Sequence, residues 1–93
     1  MMKYFAVLLM LKDEEKNKQV RPAHLAFLAE MRAQKKVFMQ GRFADGSGGM
    51  VIYAGESLEQ VEEWAKQDPY IVEGARDLEI HEWEMMTDAQ IEW

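Results

Sequence analysis

The chain reads as strand, helix, strand, strand, helix, strand. That order predicts an α+β fold of the ferredoxin-like kind, a βαββαβ antiparallel sheet with two helices on one face. Three observations carry the expectation. Lys3 to Leu11 is almost wholly apolar, bounded by charge, and too short for a core helix. Glycine-rich residues 44–49 separate two short strand-like runs in the manner of a hairpin. Two further stretches, opened by Pro22 and by Ser57, carry apolar residues at helical spacing.

The bulk composition narrows the function classes. The 93 residues are read as one domain, 1–93, with 87–93 as a C-terminal tail. A chain of this size buries roughly two-thirds of its unfolded surface. With 48% hydrophobic and 30% charged residues it has the make-up of a globular protein. A net charge of −6, with no basic run longer than Lys35-Lys36, argues against a nucleic-acid partner. Cysteine is absent, which excludes disulfides, thiolate metal sites and a cysteine nucleophile, and fits the cytoplasmic location expected here. The apolar opening is not read as a secretory signal, because it runs straight into Lys12-Asp13-Glu14-Glu15-Lys16 with no small-residue cleavage site. Its eight apolar residues are also too few to span a bilayer, so no membrane partner is expected.

The elements follow in order. The first strand is apolar at successive and not alternate positions, which fits burial on both faces, and a second subunit is the expected cover for one of them. Asp13 to Val20 reads as a polar loop. Pro22 then suits the first turn of a helix running to about Lys35, with His24, Phe27, Leu28 and Met31 on its buried stripe. Val37 to Phe43 and Met50 to Ala54 are the second and third strands. The glycines between them permit positive φ or close approach of a ligand, although an ordinary hairpin is the simpler reading and the spacing is not that of a phosphate loop. Ser57-Leu58-Glu59-Gln60 is a capping box opening the second helix, whose stripe of Leu58, Val61, Trp64 and Ala65 ends on Asp68. Pro69 stops that helix. Asp77 to Met86 is the fourth strand, and Ile91 and Trp93 are expected to dock the tail on this chain or a neighbour.

Chain direction gathers a candidate site. The start of the first helix, the end of the second and the glycine-rich hairpin fall at one end of such a fold. Arg21, His24, Arg42, Asp68 and the segment from Tyr70 to Ala75 meet there. A carboxylate at a helix C-terminus faces the negative end of the dipole, and a histidine in a first turn faces the positive end. Pairing His24 with Asp68 offsets both effects and makes a general acid or base. The plainer readings are a packing histidine and an Asp-Pro helix stop. His81, in an alternating strand without a spaced partner, is not expected to bind metal, and two ligands alone would make His24 and Asp68 a poor metal site. Trp64 and Trp83 read as core or interface residues. No cofactor is expected.

These residues resemble the YCII-related family. The likeness rests on the apolar opening strand, Arg21-x-x-His24-Leu25 followed by Phe27-Leu28, Gly41, the Ser57-led helix, Asp68-Pro69-Tyr70, Gly74, and Ile80-x-x-Trp83. It covers nearly the whole chain. The resemblance implies a dimeric α+β barrel in which two sheets pack face to face, hence a homodimer, and a catalytic His–Asp pair carried here by His24 and Asp68. It also implies a fold similar to muconolactone-isomerase-type proteins, with one branch that dehydrochlorinates chlorinated hydroxyhydroquinones. Two departures stand out: Gln34-Lys35-Lys36 replaces a common glycine, and Gly41-Arg42 replaces a common Gly-Pro.

Two functions compete on this reading. One is a lyase- or isomerase-type enzyme acting on a cyclic or aromatic small molecule, with His24 and Asp68 catalytic and Arg21, Arg42, Tyr70 and the Gly48 amide holding substrate. The other is a non-catalytic dimeric module that binds a metabolite or serves assembly.

Overall fold

The computed structural model describes residues 2–90, so the tail positions Ile91 and Trp93 lie outside the described residues. Seven elements occur in the order β1 (Lys3–Leu11), α1 (Glu14–Ala33), β2 (Val37–Arg42), β3 (Gly48–Gly55), α2 (Leu58–Ala65), α3 (Pro69–Val72) and β4 (Arg76–Trp83). The four strands form one sheet in the order β2-β3-β1-β4, with every adjacent pair antiparallel. This is the ferredoxin-like α+β arrangement, with a short third helix added.

The alternation along β1 divides the sheet into two faces. Phe5, Val7 and Leu9 are buried and pack with Leu28 and Met31 of α1, Val61 and Ala65 of α2, and Tyr70 of α3. Full burial of side chains of this size contributes about 1.5–3 kcal/mol each. The opposite face carries the intervening residues Tyr4, Ala6, Leu8 and Met10. Met39, Met50 and Trp83 pair in register alongside them and are all exposed. The uninterrupted apolar run of β1 thus supplies one face that is covered within the chain and one that is not.

The first helix is a turn and more longer at its start than the sequence suggested. Residues 14–20 form helix, not loop, because Asp13 caps them by accepting from the Lys16 amide at 3.0 Å, and Glu14 and Glu15 follow in the first turn. Only Val20 packs on the core from this stretch, so it shows no apolar periodicity. Pro22 therefore sits inside the helix and cannot return a hydrogen bond to the Lys18 carbonyl.

The helix ends in a Schellman turn. The Lys36 amide donates to the Met31 carbonyl at 2.9 Å and the Lys35 amide to the Arg32 carbonyl at 3.0 Å. Lys35 takes a φ of 61°, the left-handed position that glycine fills at lowest cost.

Other boundaries moved for local reasons. β3 absorbs Gly48 and Gly49, so the hairpin loop is 43–47, and β4 stops at Trp83 short of Met86. Gly48 has φ +153°, and a Cβ there would lie 2.3 Å from the Leu9 carbonyl oxygen. Glycine is needed for β3 to approach β1 that closely. Ser57 caps α2 by accepting from the Gln60 amide at 3.2 Å. The Gln60 side chain, however, accepts from the Glu56 amide and not from the amide of the capping serine, so the box closes one residue early.

Candidate active site

Asp68 is not the last residue of the second helix. α2 ends at Ala65, and the extended backbone that Pro69 demands at Asp68 (φ −59°, ψ 127°) makes it the N-cap of α3 instead. Its Oδ1 accepts from the Tyr70 amide at 2.9 Å. The expected electrostatic penalty is therefore absent, since a carboxylate at a helix N-cap is favoured. His24 likewise stands in the third turn of α1, not the first.

The pair itself forms. His24 Nδ1 lies 2.9 Å from both Oδ1 and Oδ2 of Asp68, and the two residues are 8% and 1% exposed. Because the carboxylate only accepts, Nδ1 must donate, which leaves Nε2 as the lone-pair nitrogen of the neutral ring. No other described residue hydrogen-bonds to Nε2. The imidazole is clamped on a second side by the Tyr70 ring, stacked at 4.0 Å with 23° between planes. Asp68 fixes the tautomer while Tyr70 fixes the ring plane.

Beside the pair, α1 and the sheet enclose a cavity of about 160 Å³. His24, Arg21, Leu25 and Leu28 line it from α1, Leu9, Gly49 and Val51 from the sheet, and Tyr70 and Arg76 from the far wall. Gln40, Gly41 and Arg42 of β2 close the remaining side. Arg76 is the most firmly held of the three arginines. Its Nε donates to Asn17 Oδ1 at 2.7 Å, and its guanidinium lies 4.2 Å over the Tyr70 ring. Burial lowers its pKa from the ordinary value, the charges of Tyr70 and Asp68 raise it, and Arg21 and Arg42 lower it again. His24, Tyr70 and Arg76 thus form a three-layer stack along one wall.

Burial pushes the Tyr53 hydroxyl well above the usual range, and the charge of Asp68 adds to that. Tyr53 is neutral throughout the physiological range. Among the described residues no group of three His, Cys, Asp or Glu side chains is placed to hold a metal ion.

Of the residues singled out in the sequence, Arg21, His24, Arg42 and Tyr70 line this one cavity, and Asp68 braces it from behind. Gly48 does not join them: it is buried against β1, and its neighbour Gly49 lines the cavity instead. His81 is exposed and pairs with Glu79 at 2.7 Å. Arg76 is not among those residues because β4 begins at Arg76, one residue before the expected start at Asp77. Counting back by two from Ile80 and Leu78 places Arg76 on their inward face, so the signal was present in the alternation.

A family model, the YCII-related domain, matches residues 2–84. The chain belongs to the YCII-related family. It is 32% identical over 82 residues to the uncharacterized protein YjpA of Bacillus subtilis strain 168, covering 88% of this chain and 96% of YjpA. It is 36% identical over 70 residues to protein YciI of Escherichia coli O6:H1, covering 64% and 71% of the two chains. Among solved structures, it resembles 5-chloro-2-hydroxyhydroquinone dehydrochlorinase (TftG) of Burkholderia phenoliruptrix AC1100 in complex with 2,5-dihydroxybenzoquinone. That match has a TM-score of 0.74, 20% identity, and covers 87% of this chain and 93% of the other. At that identity the likeness shows a shared fold.

The departures of this YCII-related chain can now be located. Within Gln34-Lys35-Lys36 it is Lys35 that takes the left-handed turn position, a matter of stability at the end remote from His24. Arg42 of Gly41-Arg42 lies on the cavity itself and adds a cation to it.

Proposed function

We propose that this YCII-related protein is a small-molecule enzyme of the lyase or isomerase type, acting on a cyclic or aromatic substrate. His24 serves as general acid and base at Nε2 and Asp68 as its orienting partner. The observation that carries the reading is the 2.9 Å approach of Nδ1 to both oxygens of a buried carboxylate, on the wall of a cavity. In an elimination, Nε2 would take a proton from the substrate while chloride leaves with the bonding pair. In an isomerisation it would take the proton from one position and return it at another. Asp68 stabilises the imidazolium formed in either case. The dehydrochlorinase activity named for TftG makes the first of these the reaction to try first.

The working unit in this proposal is a cytoplasmic homodimer, in which the apolar sheet face of one copy covers that of the other as in a dimeric α+β barrel. The exposed methionines of that face, Met10, Met39 and Met50, support it.

A panel of chlorinated hydroxyhydroquinones and unsaturated ring lactones, monitored for chloride release and for absorbance change, tests the activity. Turnover should fall by about 10²–10⁴-fold in His24→Ala, with circular dichroism confirming the fold. Undiminished turnover in folded His24→Ala would remove His24 from the chemistry. Binding without turnover across the panel would favour a metabolite-binding module.

A further inference from the structure

The cavity beside His24 has an unusual charge balance for this chain. The protein carries 17 acidic against 11 basic Lys and Arg residues, yet three guanidiniums converge on one small cavity. None of Arg21, Arg42 and Arg76 makes a salt bridge among the described residues; the ion pairs of the basic chains fall to Lys3, Lys12 and Lys66 on the surface. Asp68 offsets part of the repulsion at Arg76 without pairing with it directly, and an anion bound among the three guanidiniums relieves the rest.

A second observation is independent of charge. The Tyr70 hydroxyl is buried and has no hydrogen-bond partner among the described residues, and Tyr70 is one of the residues that line the same cavity. A buried hydroxyl left unpaired is destabilising. A ligand oxygen would complete it.

Size and lining define the rest of the ligand. A cavity of about 150 Å³ walled by aliphatic side chains accepts one benzene ring, and this one measures about 160 Å³ with Leu9, Leu25, Leu28 and Val51 on its walls. Gly49 also matters here. A Cβ at that position would lie 2.8 Å from the Gly41 carbonyl oxygen and 3.4 Å from Arg76 Nη1. Glycine is required there by the β2 backbone, and it keeps the cavity wall flat beside the Arg76 head group.

We infer that Arg76, with Arg21, Arg42 and the Tyr70 hydroxyl, forms an anion subsite that holds an oxyanion on a single-ring ligand against His24. The inference rests on the cavity being the ligand site proposed above and assigns Arg76 to it as the fixed anchor. Arg76 is preorganised by Asn17 and by the Tyr70 ring, whereas Arg21 and Arg42 stand exposed at the mouth. The expected ligand is a ring carboxylate, phenolate or enolate.

Benzoate and its neutral counterpart benzamide are the probes, titrated into isotopically labelled protein and followed by NMR. Benzoate should shift the Arg76 Nε–H, His24 and Tyr70 signals and bind about tenfold more tightly than benzamide. Arg76→Gln should abolish that preference. Arg42→Gln, at an exposed position, should weaken benzoate several-fold and leave benzamide unchanged, so the inference stays testable if Arg76→Gln does not fold. Tyr70→Phe should weaken benzoate while keeping or raising thermal stability, since it removes an unpaired buried hydroxyl. Equal affinity for the two probes, both mapping to the cavity, would overturn the anion subsite and leave the cavity as a ligand site. Shifts confined to other surfaces, or no binding of either probe at millimolar concentration, would overturn both.

Discussion

Asp68 is a charge placed where water scarcely reaches, and such a group is tolerated only if donors meet its oxygens. The imidazole of His24 and the Tyr70 amide supply them. Asp68→Ala should therefore cost about 3 kcal/mol in urea unfolding, because it strands two buried donors. Asp68→Asn keeps the shape and an acceptor for the Tyr70 amide and should cost less. Tyr53 makes a separate prediction. Its hydroxyl ionises less readily in the folded chain than in the unfolded one, whose ordinary value is 10.0. The folded state thus retains a proton that the unfolded state releases, and stability falls as pH rises above about 10. Tyr53→Phe should flatten that alkaline loss by up to about 1.4 kcal/mol per pH unit, as read from urea midpoints across the range. At this scale the sequence was partly legible. His24 and Asp68 stood out as polar residues on apolar stripes. Arg76 did not, because an arginine at a strand start looks like solvent-facing charge until the inward alternation is counted from Ile80.

The helices show where local chemistry outweighs hydrophobic pattern. Residues 14–20 contain helix-favouring Glu, Lys and Gln behind an Asp cap, but with Val20 alone touching the core they offered no periodicity to read. Pro22 then looked like a start when it was an interior residue. The same weakness concealed α3, four residues long and defined by the Asp68 cap and Pro69. The pair forms regardless of these boundaries, since the register of His24 with Leu28 and Met31 depends on spacing and not on where the helix begins. Lys35 offers a test at this scale. Its left-handed backbone closes the turn between α1 and β2, and Lys35→Gly should stabilise the fold by about 0.5–1 kcal/mol, measured as a higher urea midpoint at unchanged slope. A neutral or destabilising result would mean that the lysine side chain contributes more than the strain it brings.

For the whole molecule, element order and direction were enough to predict an antiparallel ferredoxin-like sheet and to bring residues of α1, β2, Asp68 and the 70–75 segment together. Such topology is legible because helix-to-strand connections are short and neighbouring strands antiparallel. What lies against the open sheet face was not legible in the same way, since an apolar face shows that a cover is needed and leaves the cover unnamed. The proposed homodimer predicts a dimeric sedimentation coefficient at micromolar concentration, and Met39→Glu, a charge on the exposed apolar face, should shift the chain toward monomer. A monomer in the unmutated protein would separate the family's dimeric arrangement from this chain.

The central claim is that Asp68 holds His24 with its proton on Nδ1, presenting Nε2 to the cavity as the working base. Long-range proton–nitrogen correlation of the His24 ring, recorded where the ring is neutral, reads that proton directly. A protonated Nδ1 and an unprotonated Nε2 are expected in the native protein, with the preference weakened in Asp68→Asn. A proton on Nε2 in the native protein, or an undiminished preference for Nδ1 in Asp68→Asn, would contradict that role for Asp68.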